Sequence, residues 1–178
     1  MLIPLFISFS PCGIGDRWKI KTLQDSKVNQ INFKPIDDLS IEDLMKLPTD
    51  HVGRKTERHG VEFNVYTVEC DIREYFYEGD SNIHIVLTSQ GDHNNTIIAE
   101  IPGYHCKKVA KSAYADKFKA VRNSFLLNII DAHHVVGMHY RVTGVDFIDL
   151  KHSKPQKGAA PNAFELYPVL AIEQYGTM

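Results

Sequence analysis

The stretch that decides the fold is Ile83-His84-Ile85-Val86-Leu87-Thr88, then Gly91-Asp92-His93-Asn94-Asn95, then Thr96-Ile97-Ile98-Ala99-Glu100-Ile101. In the first segment Ile83, Ile85 and Leu87 alternate with more polar neighbours, which is the period of a half-buried β-strand. The polar middle segment predicts a turn, and the third segment predicts a strand ended by Pro102-Gly103. We therefore expect two consecutive antiparallel strands here.

A longer strand-like block precedes this pair. Its alternating positions are Val61, Phe63, Val65, Tyr66, Val68, Cys70 and Ile72. The alternation slips by one residue between Val65 and Tyr66, which predicts a β-bulge that bends the strand. A turn at Gly79-Asp80 follows, so the three strands are expected to form a meander.

After the meander the apolar period changes from two residues to about 3.6. The helical positions are Ala110, Ala113, Tyr114, Lys117, Phe118, Val121, Phe125 and Ile129. Strand character returns over 139–150, with Gly144 as a bulge or close-approach point, and again over 164–173. On the last strand we expect one face to carry Leu166, Leu170 and Ile172 and the other to carry Glu165, Tyr167 and Val169.

This order, β-β-β-α-β-β, predicts a mainly β protein built as an OB-fold-like β-barrel with one long α-helix. Closure would leave no unpaired strand edges. A mixed α+β sandwich is the alternative. The sequence divides into three parts. Residues 1–15 are a candidate truncated export signal, residues 16–60 are expected to form an irregular N-terminal extension, and residues 61–175 are expected to form the OB-like domain. The extension has one helical signal, in which Ser40 is the N-cap, and is expected to be a weakly packed lead-in.

The composition narrows the class of protein. With 43% hydrophobic and 24% charged residues, the 178-residue chain is neither a disordered segment nor a disulfide-dense miniprotein. A net charge of -2 excludes a general basic field for polyanions. The chain contains no phosphate loop, no G-x-G-x-x-G, no H-E-x-x-H and no G-x-S-x-G. These absences disfavour the nucleotide-binding and hydrolase classes that use such motifs.

The location of the protein is predicted from its first dozen residues. They are apolar, uncharged and end at Cys12, like the end of an export signal, and no run is long enough to span a membrane. We expect an exported protein that is periplasmic, secreted or lipid-anchored, with a cytoplasmic location as the alternative. Of Cys12, Cys70 and Cys106, one pair could form a disulfide, or all three could be thiols.

Polar side chains in mid-strand are the candidates for a functional site. His84 lies between Ile83 and Ile85, so it faces away from a core that the isoleucines fill. Glu100 and Glu165 hold similar places on their strands. A solvated sheet face is the simpler interpretation. The alternative is a metal or general acid/base site formed by His84, Glu100, Asp149, His152 and Glu165.

The most basic stretch is the loop Lys151-His152-Ser153-Lys154-Pro155-Gln156-Lys157-Gly158. Lys151, Lys154 and Lys157 make it a candidate binding loop, although a solvated loop is the simpler interpretation. Single-stranded nucleic acid is a conceivable partner of such a loop but not the favoured one. The adjacent pairs His133-His134 and His105-Cys106 are weak metal motifs, because neighbouring side chains point in different directions.

Several segments together resemble an uncharacterised bacterial family whose members are often exported. The matching segments are Arg17-Trp18-Lys19-Ile20-Lys21-Thr22, Asn82 to Leu87, Ile98-Ala99-Glu100-Ile101-Pro102, Val142 to Asp149, His152, Ala160-Pro161-Asn162 and Glu165-Leu166-Tyr167-Pro168-Val169. The resemblance, which runs from Arg17 to Ile172, implies one exported domain and adds Asn162 to the candidate residues. It implies no reaction, and Tyr167 stands where the family usually has histidine.

The leading functional hypothesis is an exported binding domain that holds an unidentified ligand on the face carrying His84 and Glu165, or through the basic loop. The alternative is a metal-assisted hydrolase of the phosphodiesterase or nuclease kind, by analogy with other enzymes built on this barrel. The sequence does not decide between a binding protein and an enzyme, and it assigns no cofactor.

Overall fold

A computed structural model describes residues 17–130, 138–151, 154 and 156–177. The protein is mainly β, as predicted. Its strands are β1 (Asn32–Ile36), β2 (Asn64–Tyr77), β3 (Ile83–Ser89), β4 (Asp92–Ile101), β5 (Met138–Ile148) and β6 (Phe164–Thr177). Its α-helices are α1 (Trp18–Lys21), α2 (Ile41–Leu44) and α3 (Ala115–Ser124), which continues as a π-helix over Phe125–Ile130.

The six strands form one sheet in the order β1-β2-β3-β4-β6-β5, and β2 pairs additionally with β5. The meander is present, because β2, β3 and β4 pair antiparallel in sequence. The β4–β6 and β1–β2 pairs are parallel, whereas β5 pairs antiparallel with both β2 and β6. Strand β1 was not predicted, since four of its five residues are exposed and show no alternation.

The predicted bulge between Val65 and Tyr66 is wrong. The pairing of β2 with β5 runs in continuous register from Val65 to Asp71, and the shift against β3 falls between Ile72 and Glu74. Val65 belongs to a second core with Trp18 and Leu23, whereas Tyr66 belongs to the main core. The apparent slip in the sequence arises because this strand is buried on both faces.

The predicted faces of β6 hold except at Val169 and Leu170, and Ile172 shares the main core with Leu166 as expected. Leu166 lies in the main core and Tyr167 on the opposite face, as expected, but Val169 joins the main core and Leu170 the second core. Val169 and Leu170 exchange faces because the β5–β6 pairing shifts its register on both sides of Gly144. A Cβ on Gly144 would lie 2.8 Å from Leu166 Cβ, so the predicted close approach is present.

The expected weak packing of the lead-in is also wrong. Ile41 and Leu44 of α2 are buried in the main core. Trp18 of α1 is buried in the second core, and Ile20 of α1 is buried in a third, smaller cluster. The predicted N-cap is present, because the Ser40 side chain accepts from the Asp43 backbone N–H and the Asp43 carboxylate accepts from that of Ser40. The lead-in therefore completes both cores.

A buried ion pair fixes α1 on the sheet. Arg17 lies 2.6 Å from Glu62, and both side chains are almost fully buried. Arg17 also donates to the carbonyl of Ile148 at 2.6 Å, while Glu62 accepts from the Ile148 backbone N–H at 3.1 Å. Arg58 adds a bond to the Ile20 carbonyl at 2.9 Å. These bonds join the lead-in to the end of β5.

The cysteines fall into two classes. Cys70 is a buried free thiol in β2, and Cys106 is disulfide-bonded. Burial raises the pKa of Cys70, so this thiol stays protonated and unreactive. Cys12, His133 and His134 lie outside the described residues. Every helix within the described ranges is too short or too polar to cross a membrane.

Candidate functional site

The candidate site lies on the face of β3, β4 and β6 that points away from the main core. His84 and Glu100 are direct cross-strand partners, and the isoleucines beside His84 fill the main core as expected. A solvated face is nevertheless the wrong interpretation, because His84, Glu100 and Glu165 are only 1 to 3% exposed. Helix α1 and the chain after β5 lie over this face.

Nine side chains from the sheet, its turns and this cover form what we call the polar cluster. Its members are Lys21, Glu78, Asp80, Asn82, His84, Glu100, Asp149, Glu165 and Tyr167. Of the residues predicted from sequence, the structure brings together His84, Glu100, Asp149 and Glu165. His152 lies outside the described residues. With five carboxylates against Lys21 and His84, the cluster has an excess of acidic groups.

His84 is held on three sides. Its Nε2 lies 3.0 Å from the Lys157 carbonyl, and its ring stacks on Phe76 with centroids 4.3 Å apart. Its Nδ1 lies 3.4 Å from Glu78 Oε1 and 3.7 Å from Glu100 Oε1, without hydrogen-bond geometry to any described residue. Burial alone would lower the pKa of His84, but the two carboxylates and the carbonyl raise it to about 10.

Glu100 and Tyr167 are linked through Asn82. The Asn82 Nδ2 donates to Tyr167 Oη at 2.5 Å and to Asp80 Oδ2 at 2.7 Å, and lies 3.3 Å from Glu100 Oε2. Its Oδ1 accepts from the Gly103 backbone N–H at 3.1 Å. Burial raises the pKa of Glu100, while His84 and Lys21 oppose that rise. Asn82 therefore fixes the orientation of the glutamate.

Lys21 supplies the cluster with a cation from the lead-in. Its Nζ lies 3.7 Å from Asp149 Oδ1 and 4.8 Å from the ring centroids of both Phe147 and Tyr167. Burial would lower the pKa of Lys21, but Glu100, Glu165, Asp149 and Asp80 together raise it. The ammonium is therefore charged and partly balances the surrounding carboxylates.

A cavity of about 340 Å³ opens beside the cluster. Glu165 and Asp149 line it together with Lys151 and Gln156, and its remaining wall is apolar, from Leu150, Ala159, Ala160, Pro161, Ala163 and Phe164. Glu165 Oε2 is buried without a hydrogen-bond partner among the described residues. Burial raises the pKa of Glu165 well above its usual range, while Lys21 acts in the opposite direction.

The basic loop contributes backbone rather than charge. The Lys157 carbonyl accepts from His84 Nε2–H, and the Lys157 ammonium pairs with Glu74. Gly158 has φ +83°, and a Cβ there would lie 2.6 Å from Val86 Cγ1, so only glycine lets the loop approach β3 this closely. Lys151 lines the cavity, and Lys154 is exposed.

Asn162 has a structural role apart from the cluster. Its Nδ2 donates to the carbonyls of Leu44 at 2.9 Å and Leu47 at 3.2 Å, at the end of α2. Its Oδ1 accepts from the Phe164 backbone N–H at 3.3 Å. Asn162 thus ties the lead-in to the start of β6.

Sequence reasoning missed five members of the cluster: Lys21, Glu78, Asp80, Asn82 and Tyr167. Lys21, Asn82 and Tyr167 stand within the segments that carry the family resemblance, and that was the available signal. Glu78 and Asp80 read only as residues of a polar turn between strands. No periodicity in the sequence shows that this turn lies close to Glu100 and Glu165 in the folded protein.

A second buried carboxylate, Asp146, gives a prediction about pH. Both its oxygens are buried without a partner among the described residues. Burial and then Glu62 raise its pKa well above the usual range, while Arg58 opposes them. The folded state therefore binds this proton more tightly than the unfolded state, and its contribution to stability is lost as the pH rises from about 4 through the folded pKa.

We expect Asp146→Asn to flatten the fall in stability with rising pH, and to raise the melting temperature by several degrees at pH 8 relative to the native protein. Thermal unfolding between pH 5 and pH 8 measures this difference. The exposed Asp116→Asn is the matched control and should follow the native curve. A melting temperature for Asp146→Asn that tracks the native protein at every pH would contradict the prediction.

Comparisons with protein-family models, with curated proteins and with solved structures found no match to this chain.

Proposed function

We propose that this chain is an exported, OB-fold-like β-barrel domain that binds a small, positively charged ligand in the cavity beside Glu165. The observation that carries the proposal is a buried carboxylate oxygen, Glu165 Oε2, which has no partner among the described residues and belongs to a cavity-lining side chain. Native proteins rarely leave such an atom unpaired without a reason.

The strand pairing supports the barrel. The β2–β5 pair joins strands that stand far apart in the sheet order, so the path through β2, β3, β4, β6 and β5 returns to its start. The longest helix of the described residues lies between β4 and β5, where the OB-like order has it. Strand β1 would then be an addition to the five-stranded barrel.

The chemistry of the cavity supports a cationic ligand. Its volume falls within the range of about 300–1,000 Å³ that small-molecule sites occupy. The acidic excess of the polar cluster favours positive charge, and the apolar wall suits a short hydrocarbon portion. A nucleic-acid strand is less suitable, because the Lys157 ammonium already pairs with Glu74.

Export is supported by two observations. Cys106 is disulfide-bonded, and disulfides persist mainly in oxidising compartments. The apolar residues 1–12 have the character of an export signal. Export is also what the resemblance to the often exported bacterial family implies, and the segments that carry it contribute Lys21, His84, Glu100, Asp149 and Glu165 to a single cluster.

Thermal unfolding with spermidine, L-arginine or choline tests the binding function, with glutarate as an anionic probe. We expect at least one cation to raise the melting temperature with a concentration dependence that saturates as binding predicts, and glutarate to have no such effect. Isothermal calorimetry on the same cation should give one site per chain. A single-stranded oligonucleotide is expected to give no salt-dependent binding.

The decisive variant is Glu165→Gln, which keeps the shape of the side chain but cannot ionise to pair with a bound cation. It should abolish the shift caused by the cation. Glu173→Gln, at an exposed position of the same strand, is the control and should retain the shift. If no cation raises the melting temperature, or if Glu165→Gln responds as the native protein does, the proposed function is wrong.

A further inference from the structure

We propose that Glu78, His84 and Glu100 form a binding site for a divalent transition-metal ion such as Zn²⁺, with His84 Nδ1 and one carboxylate oxygen of each glutamate as ligands. The three ligand atoms lie within 4.8 Å of one another. This site is separate from the cavity beside Glu165, and it does not depend on the proposed cationic ligand.

The distances from His84 fit a common metal ion. Around a tetrahedral Zn²⁺ with bonds of about 2.0–2.1 Å, neighbouring ligand atoms stand about 3.3–3.4 Å apart. Nδ1 lies 3.4 Å from Glu78 Oε1 and 3.7 Å from Glu100 Oε1. These separations exceed a good hydrogen bond but are close to the edge of a coordination tetrahedron.

A second observation that points to a metal ion is the unpartnered Nδ1 atom of His84. His84 is only 1% exposed, and its buried Nδ1 has no hydrogen-bond partner among the described residues. When Nε2–H donates to the Lys157 carbonyl, a metal ion that displaces the remaining ring proton takes up the Nδ1 lone pair between the two carboxylates. Three electron-rich atoms that face one another in a buried site call for a cation at their centre.

The surroundings orient the ligands as metal sites do. A ligating histidine usually donates its other ring N–H to a carbonyl or carboxylate, and here the Lys157 carbonyl has that place. Asn82 Nδ2 lies 3.3 Å from Glu100 Oε2, so it steadies the oxygen that does not face His84. Phe76 stacks on the imidazole and fixes its plane.

The ligand set selects the kind of metal. One imidazole and two carboxylates suit Zn²⁺, Co²⁺ or Mn²⁺, whereas Ca²⁺ and Mg²⁺ prefer oxygen ligands alone. Three protein ligands leave a fourth position for water. The Glu78 side chain is 26% exposed, so it gives the ion a path from solvent and can move toward the other two ligands.

Calorimetric titration of Zn²⁺ into the full chain, after treatment with a chelator, tests the site directly. We expect saturable binding of one ion per chain, and Ca²⁺ should not compete. Co²⁺ should give the visible absorption of a tetrahedral site, and ¹⁵N spectra should identify His84 Nδ1 as the metal-bound nitrogen. Glu78→Gln is the safest variant to fold, because this side chain is partly exposed; it should weaken binding at least about tenfold.

Two controls separate this site from surface binding. Glu69→Gln removes an exposed carboxylate on the neighbouring strand and should bind Zn²⁺ as the native protein does. The double variant His133→Ala with His134→Ala should also retain binding. The proposal is overturned if the native protein shows no saturable Zn²⁺ binding, if Glu78→Gln and Glu69→Gln bind equally well, or if the double histidine variant loses the ion.

Discussion

Replacing Lys21 with methionine is expected to destabilise the protein by about 3–5 kcal/mol, the usual effect of removing one partner from a buried charge pair. The Lys21 side chain is only 17% exposed, and its ammonium faces Asp149 and the buried Glu100 and Glu165. Methionine keeps most of the hydrocarbon part of the lysine side chain, so the loss of stability measures the contribution of the charge. Urea unfolding at pH 7 measures the change.

The effect should depend on pH in a defined direction. Lys21 acts to lower the raised pKa values of Glu100 and Glu165, so its removal raises them further. Stability supplied by a protonated buried acid is lost as the pH rises through its folded pKa. Lys21→Met should therefore be more damaging at pH 8 than at pH 5.

Two further variants test this explanation. Lys19→Met changes an exposed lysine on the same short helix and should alter stability by no more than about 0.5 kcal/mol. Glu165→Gln combined with Lys21→Met should recover part of the loss, because a carboxylate then no longer needs a cation. Equal losses for Lys19→Met and Lys21→Met would refute the electrostatic account.

Glu62→Gln is expected to cost about 3–5 kcal/mol as well, because it leaves the Arg17 guanidinium charged and buried without its anion. The two groups are 2.6 Å apart, and Glu62 also accepts from the backbone N–H groups of Ile148 and His59. The variant should loosen α1. Amide hydrogen exchange should accordingly rise in residues 17–23 before it rises in β2.

The matched control is Glu57→Gln. Glu57 pairs with Lys27 at 3.0 Å, but its side chain is 71% exposed, so this pair is worth about 0–1 kcal/mol. Unfolding curves of the two variants give the comparison. Indistinguishable stabilities, or hydrogen exchange in α1 that is unchanged by Glu62→Gln, would show that the ion pair does not fasten the lead-in.

Local periodicity was sufficient to predict strands β2 to β6 and the direction of His84. The alternation around Ile83 and Ile85 correctly assigned these side chains to the core and the imidazole to the opposite face. The same alternation could not show that the opposite face is covered. Lys21 lies more than sixty residues before His84, and no local signal predicts that α1 folds over the sheet.

Burial on both faces is the other reason that prediction failed. At Val65 and Tyr66 both faces of β2 meet apolar residues, so the sequence shows a slip that the backbone does not have. At Val169 and Leu170 the irregular register near Gly144 exchanges the two faces, and nothing in the composition of β6 marks that position. Which face these side chains occupy is therefore decided by long-range packing, and the local sequence pattern does not contain that information.

The position of β6 has a consequence for folding. This strand follows the others along the chain, yet it lies between β4 and β5 in the sheet. Until residues 164–177 are in place, β4 and β5 each present an unpaired edge, and Phe164 and Leu166 are missing from the main core. During synthesis the growing chain cannot complete its sheet stepwise. It must acquire cooperative stability late, when nearly all of residues 164–177 are available to pair with β4 and β5.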